Sequence, residues 1–230
     1  MKKIFLLLSF TLLILQSCSS GDSDNNTNTT TVSDIDGNVY QTVTICNQTW
    51  TKSNLNVSHY RNGDVIQQVT NPSAWANLTT GAWCYYNNDP ANGAIYGKLY
   101  NWYAVNDPRG LAPLGYHIPT VAEWTSLINC LGGEAVAGGK MKEAGTTHWT
   151  SPNTGATNES GFTGLPGGKL KKISVSDFQF IYLQNNGVWW SSTEFDTDSS
   201  WFCKLDYNST ISMIDKHIQS TGCSLRIIKD

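Results

Sequence analysis

The first 18 residues constrain the fold most, because they take the longest apolar run out of the part of the chain that folds. Two lysines precede an apolar stretch over residues 4–15, and residues 15–18 (LQSC) have the pattern of a lipobox. The apolar stretch is too short for a permanent membrane-spanning helix, and the small residue before Cys18 suits a cleavage site. We therefore expect a signal peptide over residues 1–17 and a mature chain that begins at Cys18.

Cys18 is the expected lipidation site and the expected link to a membrane. A diacylglycerol together with a further acyl chain such as palmitate provides two-chain anchoring, which makes membrane attachment stable. Residues 19–24 (SSGDSD) are acidic and weakly resemble the export tag of surface lipoproteins in Bacteroidetes. We expect a lipoprotein of the bacterial cell envelope, held in the outer membrane by the lipid on Cys18. The sequence leaves open whether it faces the periplasm or the outside.

Composition limits the class of protein and the kind of ligand. Cleavage before Cys18 removes two lysines and leaves 13 basic against 18 acidic residues, a net charge of −5. No basic run or patch stands out, so we expect no nucleic-acid partner. Charged residues make up only 14% and aromatic residues 11% of the chain, which is typical of a globular domain. Residues 18–33 are polar and are expected to form a flexible tether, which leaves residues 34–230 for the folded domain.

Strand and helix signals occur along this domain in short segments. Residues 39–45 are β-branched and alternate in polarity, which predicts a strand, and residues 49–51 are its expected hairpin partner. Apolar spacing predicts a short buried helix within residues 97–105. Further strands are expected at residues 188–192, 201–207, 210–214 and 224–228.

The clearest element is a helix over residues 120–131. Thr120 and Glu123 form a capping box after Pro119, in which each side chain satisfies a free amide of the first turn. Apolar residues then recur at helical spacing until two glycines stop the helix, and we expect them to be buried. These residues are Trp124, Leu127 and Leu131. Two short helices, small twisted antiparallel sheets and long ordered loops together indicate an α+β domain.

A set of short motifs, spread from about residue 34 to residue 230, resembles a known family. The motifs are DGNVY (36–40), QTW (48–50), NLN (54–56), CYYNND (84–89), YGKLYNWYA (96–104), GYHIPTVAEW (115–124), AGGKMKE (137–143), GATNESGF (155–162), LPGG (165–168), WWSSTE (189–194) and SLR (224–226). In this order they resemble the Fibrobacter succinogenes major paralogous domain, which occurs in many exported proteins of Bacteroidetes and Fibrobacter. That family has no established biochemical activity, so the resemblance implies no particular reaction.

The start of the capped helix, Pro119-Thr120-x-x-Glu123-Trp124, also looks like that of the formylglycine-generating enzymes, which have a C-type-lectin-like architecture. The resemblance therefore implies a C-type-lectin-like fold. Those enzymes work through a cysteine pair near their C-terminal end. Cys203 and Cys223 are the late pair in this chain, and their surroundings do not resemble that motif. Because the sequence also lacks G-x-S-x-G, Walker A and G-x-G-x-x-G motifs, we expect no enzyme activity.

The pairing of the cysteines beyond the lipidation site is open. They are Cys46, Cys84, Cys130, Cys203 and Cys223. An odd number leaves at least one thiol unpaired. Members of the family often have a cysteine just after the final arginine, which the resemblance implies as a partner for Cys84. Here that place is Ile227, and Cys223, four residues earlier, is a candidate for a relocated partner. Cys46 stands where the family usually has glycine.

Aromatic residues in the stretch over residues 71–92 form the candidate ligand-binding set. They are Trp75, Trp83, Tyr85 and Tyr86. Flat aromatic faces stack on the apolar face of a pyranose, and nearby amides and carboxylates bind its hydroxyl groups. The alternative is that aromatic side chains fill a core that has few long regular elements. Of Trp189 and Trp190, at least one should belong to the core, because successive strand residues point to opposite faces.

Oxygen-bearing side chains suggest a calcium site as a second candidate. The set consists of Asn87, Asn88, Asp89 and Glu159. Calcium takes about six to eight oxygen ligands, and the two carboxylates of this set lie far apart in the sequence. Turn formation explains the same residues, since Asn and Asp stabilise tight loops. Residues 34–38 (DIDGN) resemble the start of an EF-hand loop, but Ile45 stands where glutamate is required, so we expect a turn there.

These observations lead to one leading hypothesis and two alternatives. We expect a lipid-anchored, non-catalytic recognition or adhesion module, with glycans as candidate ligands. The first alternative is a structural envelope protein that binds only protein partners. The second is a redox enzyme related to the formylglycine-generating enzymes. No cofactor is expected apart from the calcium considered above.

Overall fold

The structure, a computed structural model, describes residues 30–174 and 177–230. The expected signal peptide, the lipidation site Cys18 and most of the expected tether lie outside the described residues. Within them, no helix has the length and apolar character needed to cross a bilayer. The first strand, β1 (Thr31–Ser33), pairs with the next one, so regular structure begins slightly before residue 34.

The described residues form thirteen strands and five α-helices. The strands are β1 (Thr31–Ser33), β2 (Val39–Ile45), β3 (Gln48–Thr51), β4 (Gln67–Gln68), β5 (Ala82–Cys84), β6 (Leu99–Tyr100), β7 (Tyr116–His117), β8 (Gly167–Lys172), β9 (Phe178–Leu183), β10 (Asn186–Glu194), β11 (Ser199–Asp206), β12 (Ser212–Ile218) and β13 (Ile228–Lys229). The helices are α1 (Pro72–Ala76), α2 (Pro90–Tyr96), α3 (Trp102–Val105), α4 (Val121–Cys130) and α5 (Glu134–Met141), with a 3-10 turn at Tyr86–Asn88.

The strands form four small sheets. The largest has the order β1-β2-β3-β13-β7, so the last strand of the chain lies beside the first hairpin. The others are β10-β11-β12, β4-β5-β6 and β8-β9. Every pair is antiparallel except β4 with β5. The prediction of an α+β fold with several small, mainly antiparallel sheets is therefore confirmed.

The first hairpin follows its sequence signals closely. Strand β2 (Val39–Ile45) coincides with the predicted strand, and β3 pairs with it antiparallel. The two residues between them include Cys46, whose φ of 54° lies in the left-handed region. Glycine adopts this region without steric cost, which explains why the family usually has glycine here. Cys46 instead forms a disulfide with Cys130, the last residue of α4, and this bond ties the hairpin to the helix.

Helix α4 (Val121–Cys130) confirms the predicted capping box. The Thr120 hydroxyl accepts a hydrogen bond from the Glu123 amide at 3.3 Å, and the Glu123 carboxylate accepts one from the Thr120 amide at 2.8 Å. The three side chains predicted to be buried, Trp124, Leu127 and Leu131, are buried. The indole of Trp124 packs with its centroid 4.7 Å from that of Trp50, which fixes the helix against β3.

The prediction of two short helices is wrong for the described residues, which contain five. Helices α1 and α2 each begin with a proline after a capping residue: Asn71 accepts from the Ala74 amide, and Asp89 accepts from the Ala91 amide. A capping residue followed by proline is a helix start signal, and it is present in the sequence. The helices are short, so they leave little apolar periodicity, and no helix was predicted in this stretch from the sequence.

Two further differences concern helix α5 and the length of the helix predicted within residues 97–105. Helix α5 (Glu134–Met141) was not predicted from the sequence, and it contains two adjacent glycines, Gly138 and Gly139. Gly138 lies so close to the next segment that an added Cβ would be 2.6 Å from the carbonyl oxygen of Ile211, so the pair serves helix packing. The helix predicted within residues 97–105 is shorter, because residues 99–100 form β6 and α3 (Trp102–Val105) begins after its cap Asn101.

The apolar interior consists of three clusters that lie on opposite faces of shared strands. Trp189 and Trp190 are both fully buried, and they belong to different clusters on the two faces of β10. The prediction that at least one of them is a core residue is confirmed. Strand β5 likewise places Trp83 in the first cluster and Cys84 in the third. Strands β5 and β10 therefore have apolar packing on both faces.

The strand register excludes a bond between Cys84 and Cys223. Cys84 lies opposite Leu99 on β6, whereas Cys223 lies opposite Tyr100, the next residue. Since paired residues share a face and neighbours in a strand point to opposite faces, the two thiols point into different clusters. Both are free and buried, as is Cys203. The relocated pairing is thus wrong, and the described cysteines form one disulfide.

Arg226, the arginine of the last family motif, is fully buried. Its Nε donates to the side-chain oxygen of Asn54 at 2.8 Å. The guanidinium also donates to the main-chain oxygens of Thr51, Phe162 and Thr163. Several family motifs therefore meet at one buried cation, and their role at this point is to hold loops together.

Candidate functional site

The aromatic set predicted as a ligand platform is mostly buried. Trp75 has no exposed surface, and its indole N–H donates to the Ser220 carbonyl at 2.7 Å. Trp83 is also buried and donates to the Ile66 carbonyl at 3.0 Å. Tyr86 lies in the third apolar cluster. These three side chains therefore do not form the expected exposed platform. They are buried because the stretch forms α1, β5 and a 3-10 turn that pack inward.

Tyr85, the fourth member, is half-buried in a packed arrangement. Its ring meets Trp83 edge-on at 5.1 Å and covers Gly93 of α2, where an added Cβ would be 2.3 Å from the ring. The ammonium of Lys98 lies 4.4 Å from the Trp83 ring centroid and donates to the Asn56 carbonyl. Burial lowers the pKa of Lys98. These contacts close the space in which a sugar would have to stack.

The residues of the proposed calcium set have other roles. Asn87 has a φ of 53° in a tight turn, and Asn88 donates to the Thr70 carbonyl at 2.9 Å. Asp89 caps α2, and Glu159 forms an ion pair with Lys140 at 2.9 Å. Among the described residues, no three His, Cys, Asp or Glu side chains are grouped as metal ligands. The turn and cap interpretation describes this set better than the calcium interpretation.

The turn predicted at residues 34–38 is also present. One carboxylate oxygen of Asp34 accepts from the amides of Asp36 and Asn38, both at 3.0 Å. The other accepts from the Tyr40 hydroxyl at 2.5 Å. This carboxylate is used up by local hydrogen bonds, as expected for an Asx turn.

A polar cavity lies elsewhere, between the β8–β9 hairpin and strand β11. It has a volume of about 510 Å³, and we call it the lysine cleft. Its lining includes Lys169, Lys171, Tyr182, Asn186, Lys204 and Asp206, with Asn185, Tyr207 and Asn208 at one end. Strand alternation explains the grouping, because residues two apart on β8 and two apart on β11 share a face. The sequence analysis identified none of these residues as a site.

Tyr182 gives the lysine cleft an exposed aromatic face. The side chain is 50% exposed and its φ is 67°, a backbone conformation that is rare for a bulky residue. Such conformations persist where the surrounding structure imposes them, and they cluster at functional sites. Gly168, opposite in the hairpin, also has a positive φ, so the hairpin departs from regular geometry on both strands here.

One carboxylate faces three lysines in the cleft. The Asp206 carboxylate forms an ion pair with Lys204 at 2.9 Å and also accepts a hydrogen bond from the side-chain amide of Asn186. The ammonium of Lys169 lies 2.5 Å from Nε2 of His217, and this ring is stacked on Phe202 at 4.2 Å. The cleft therefore retains a net positive charge.

In the hydrogen bond between Lys169 and His217, the lysine carries the proton and the imidazole is neutral. Burial, reinforced by the charge of Lys169, lowers the pKa of His217 to about 3. Burial also lowers the pKa of Lys169 from its ordinary value. With the imidazole neutral at physiological pH, Nε2 accepts a hydrogen bond from the lysine ammonium. The ring thus holds the lysine in place without adding charge.

A second cavity has a volume of about 430 Å³. Its lining includes Lys171, Lys172, Ser199, Lys216, His217 and Thr221, and Lys171 lines both cavities. The expectation of no basic run or patch was wrong. Residues 169–172 (KLKK) are a short basic run, and β11 and β12 bring further lysines to it.

Comparison with known families identifies the chain. The described residues form an α+β domain of small, mainly antiparallel sheets, in which the disulfide ties helix α4 to the first hairpin. The model of the Fibrobacter succinogenes major domain matches residues 43–229, so the chain belongs to this family. No curated protein and no solved structure is significantly similar to it.

Proposed function

We propose that this protein is a lipid-anchored protein of the bacterial cell envelope whose domain recognises glycans without catalysis. The observation that carries the proposal is the lysine cleft, where the exposed face of Tyr182 stands beside several amide and ammonium groups. An aromatic ring offers a stacking surface, and convergent polar groups fix the orientation of a ligand. Loops and hairpins of this kind are also where binding sites usually lie.

The state of the cysteines supports a role without catalysis. Burial raises the pKa of both Cys203 and Cys223 to about 12, and burial raises the pKa of Cys84 as well. Nucleophilic and redox-active cysteines need the opposite, an accessible thiol with a lowered pKa. The two late cysteines also lie in different apolar clusters, which does not favour a working pair.

The envelope location and the finer fold class belong to the same proposal. The proposed location is supported by the apolar stretch that precedes Cys18 and by the polar segment after it, which suits a tether to the outer membrane. For the fold, we propose a C-type-lectin-like arrangement. The support is the helix start Pro119-Thr120-x-x-Glu123-Trp124 together with an α+β architecture of small sheets.

A glycan array with the full-length chain in detergent tests the function. We expect binding of at least one class of glycan, and we expect Tyr182→Ala to weaken it by about tenfold, the loss of roughly one stacking contact. Tyr103→Ala, which lies on α3 outside both cavities, serves as the matched control and should bind like the wild type. Repeating the array with a chelator tests the calcium alternative.

Two results would contradict the proposal. Binding that survives Tyr182→Ala unchanged would remove the lysine cleft as the site. Absence of binding to every glycan on the array would favour the alternative of an envelope protein that binds only protein partners.

A further inference from the structure

The two cavities both lie beside β8 and share the lining residue Lys171, and together we call them the groove. Lys171 lines both, the lysine cleft extends toward Tyr207, and the second cavity extends toward Thr221. The groove therefore runs along the strand rather than into the core. A groove of this shape suits an extended ligand better than a single small molecule.

The charge of this groove differs from that of the chain. The chain has a formal net charge of −3, yet the groove is lined by five lysines and by Asp206 as its carboxylate. The five are Lys169, Lys171, Lys172, Lys204 and Lys216. Within the described residues, ion pairs occupy Lys204 but neither Lys171 nor Lys172, and the ammonium of Lys216 lies 3.6 Å from the Phe195 ring centroid. Uncompensated cations on an acidic protein indicate an anionic partner.

The spacing of the lysines indicates separate anionic groups rather than one. Lys169 and Lys171 share a face of β8, where a two-residue step corresponds to about 6.6 Å. A single phosphate or sulfate is held by donors that converge within about 3 Å of its oxygens. Lysines spread along a strand instead match charges that recur along a chain. Because Lys169 is already held by His217, binding there costs little side-chain entropy.

We propose that the groove binds a linear anionic glycan, with acidic groups along β8 and a sugar ring on Tyr182. The inference rests on the proposed glycan recognition and adds the charge and length of the ligand. The acidic group is a carboxylate or a sulfate ester, since lysine recognises both as a point charge. A single-stranded nucleic acid offers similar charges along a chain, and it is therefore included in the test as the competing ligand.

The test compares polymers that differ only in charge. Polygalacturonate and its fully methyl-esterified form are titrated into the full-length chain in detergent, with dextran sulfate against dextran as the sulfate pair and oligo(dT) as the nucleic acid. We expect an anionic glycan to bind at least about tenfold more tightly than its neutral counterpart, and to weaken as salt rises.

Variants locate the effect in the groove. Lys171→Met should weaken binding of the anionic glycan by about tenfold, the loss of one charged contact. Lys229→Met on β13, an exposed lysine that lines neither cavity, should leave it unchanged. Thermal unfolding of both variants confirms that they fold.

Each contrary result has a defined meaning. Equal binding of a charged polymer and its neutral counterpart overturns the inference on charge and leaves glycan recognition intact. Tighter binding of oligo(dT) than of both anionic glycans overturns it in favour of nucleic acid. Failure of every polymer also overturns it, and the neutral glycans of the array then decide whether glycan recognition fails too.

Discussion

At the scale of single residues, His117 connects the start of helix α4 to Asp230, which is 113 positions further along the chain. Its Nε2 lies 2.8 Å from the carboxylate of Glu123, and its Nδ1 lies 2.6 Å from the carboxylate of Asp230. Burial opposes protonation of this ring, but hydrogen bonds to Asp230 and Glu123 outweigh it, so the pKa of His117 is raised. A charged His117 thus joins the C-terminal residue to the capping box of α4.

The raised pKa gives this contact a pH dependence of known sign. The folded state binds the proton more tightly than the unfolded state, so the contribution is complete below the ordinary pKa of about 6.5 and is lost as pH rises through the folded-state value. We expect the urea concentration at the midpoint of unfolding to decrease as pH rises from about 5.5 to about 8. In His117→Gln this fall should be reduced. An equal fall in the variant would show that other groups cause it.

At the scale of elements, the Cys46–Cys130 disulfide joins the first hairpin to α4. The bond spans 84 residues, and in the chain-entropy account closing such a loop stabilises the fold by about 4 kcal/mol. It holds a turn residue whose φ of 54° disfavours any side chain. The bond and the backbone therefore act in opposite directions at Cys46, and the bond is the larger effect.

Without the disulfide, the backbone preference at this turn should become measurable. In a Cys130→Ala background, we expect Cys46→Gly to be more stable than Cys46→Ala by about 1 kcal/mol, because glycine adopts the left-handed region without strain. Denaturant unfolding measures the difference. The same pair of substitutions at Gln41, an exposed residue of β2, is the control and should show the opposite order. Equal stability of the two Cys46 variants would contradict the proposed backbone cost.

Local signals explain which elements could be predicted from the sequence. The hairpin at β2 and β3 and the helix α4 were predicted because alternation and a capping box act over a few neighbouring residues. The aromatic set was misplaced because exposure depends on packing partners such as Ser220, which are distant in sequence. The groove was missed for the same reason, since its lysines come from β8, β11 and β12.

At the scale of the whole molecule, the proposed lipid on Cys18 would determine how the groove is presented. Labelling with a palmitate analogue should mark the wild type and leave Cys18→Ala unmarked, because Cys18 is the expected acylation site. Cys203→Ala removes a buried cysteine instead and should keep the label. Equal labelling of the wild type and Cys18→Ala would refute lipidation at this residue.

The position of β1 (Thr31–Ser33) has a mechanical consequence. It is an edge strand formed by the last three residues of the expected tether, so tension between a membrane and a captured ligand would act first on its three paired residues. Once β1 detaches, the pull passes along β2 to Cys46. There the covalent bond to Cys130 transfers the load to α4. We therefore expect peeling from the amino-terminal side to stop at the hairpin, before it reaches the strands that form the groove.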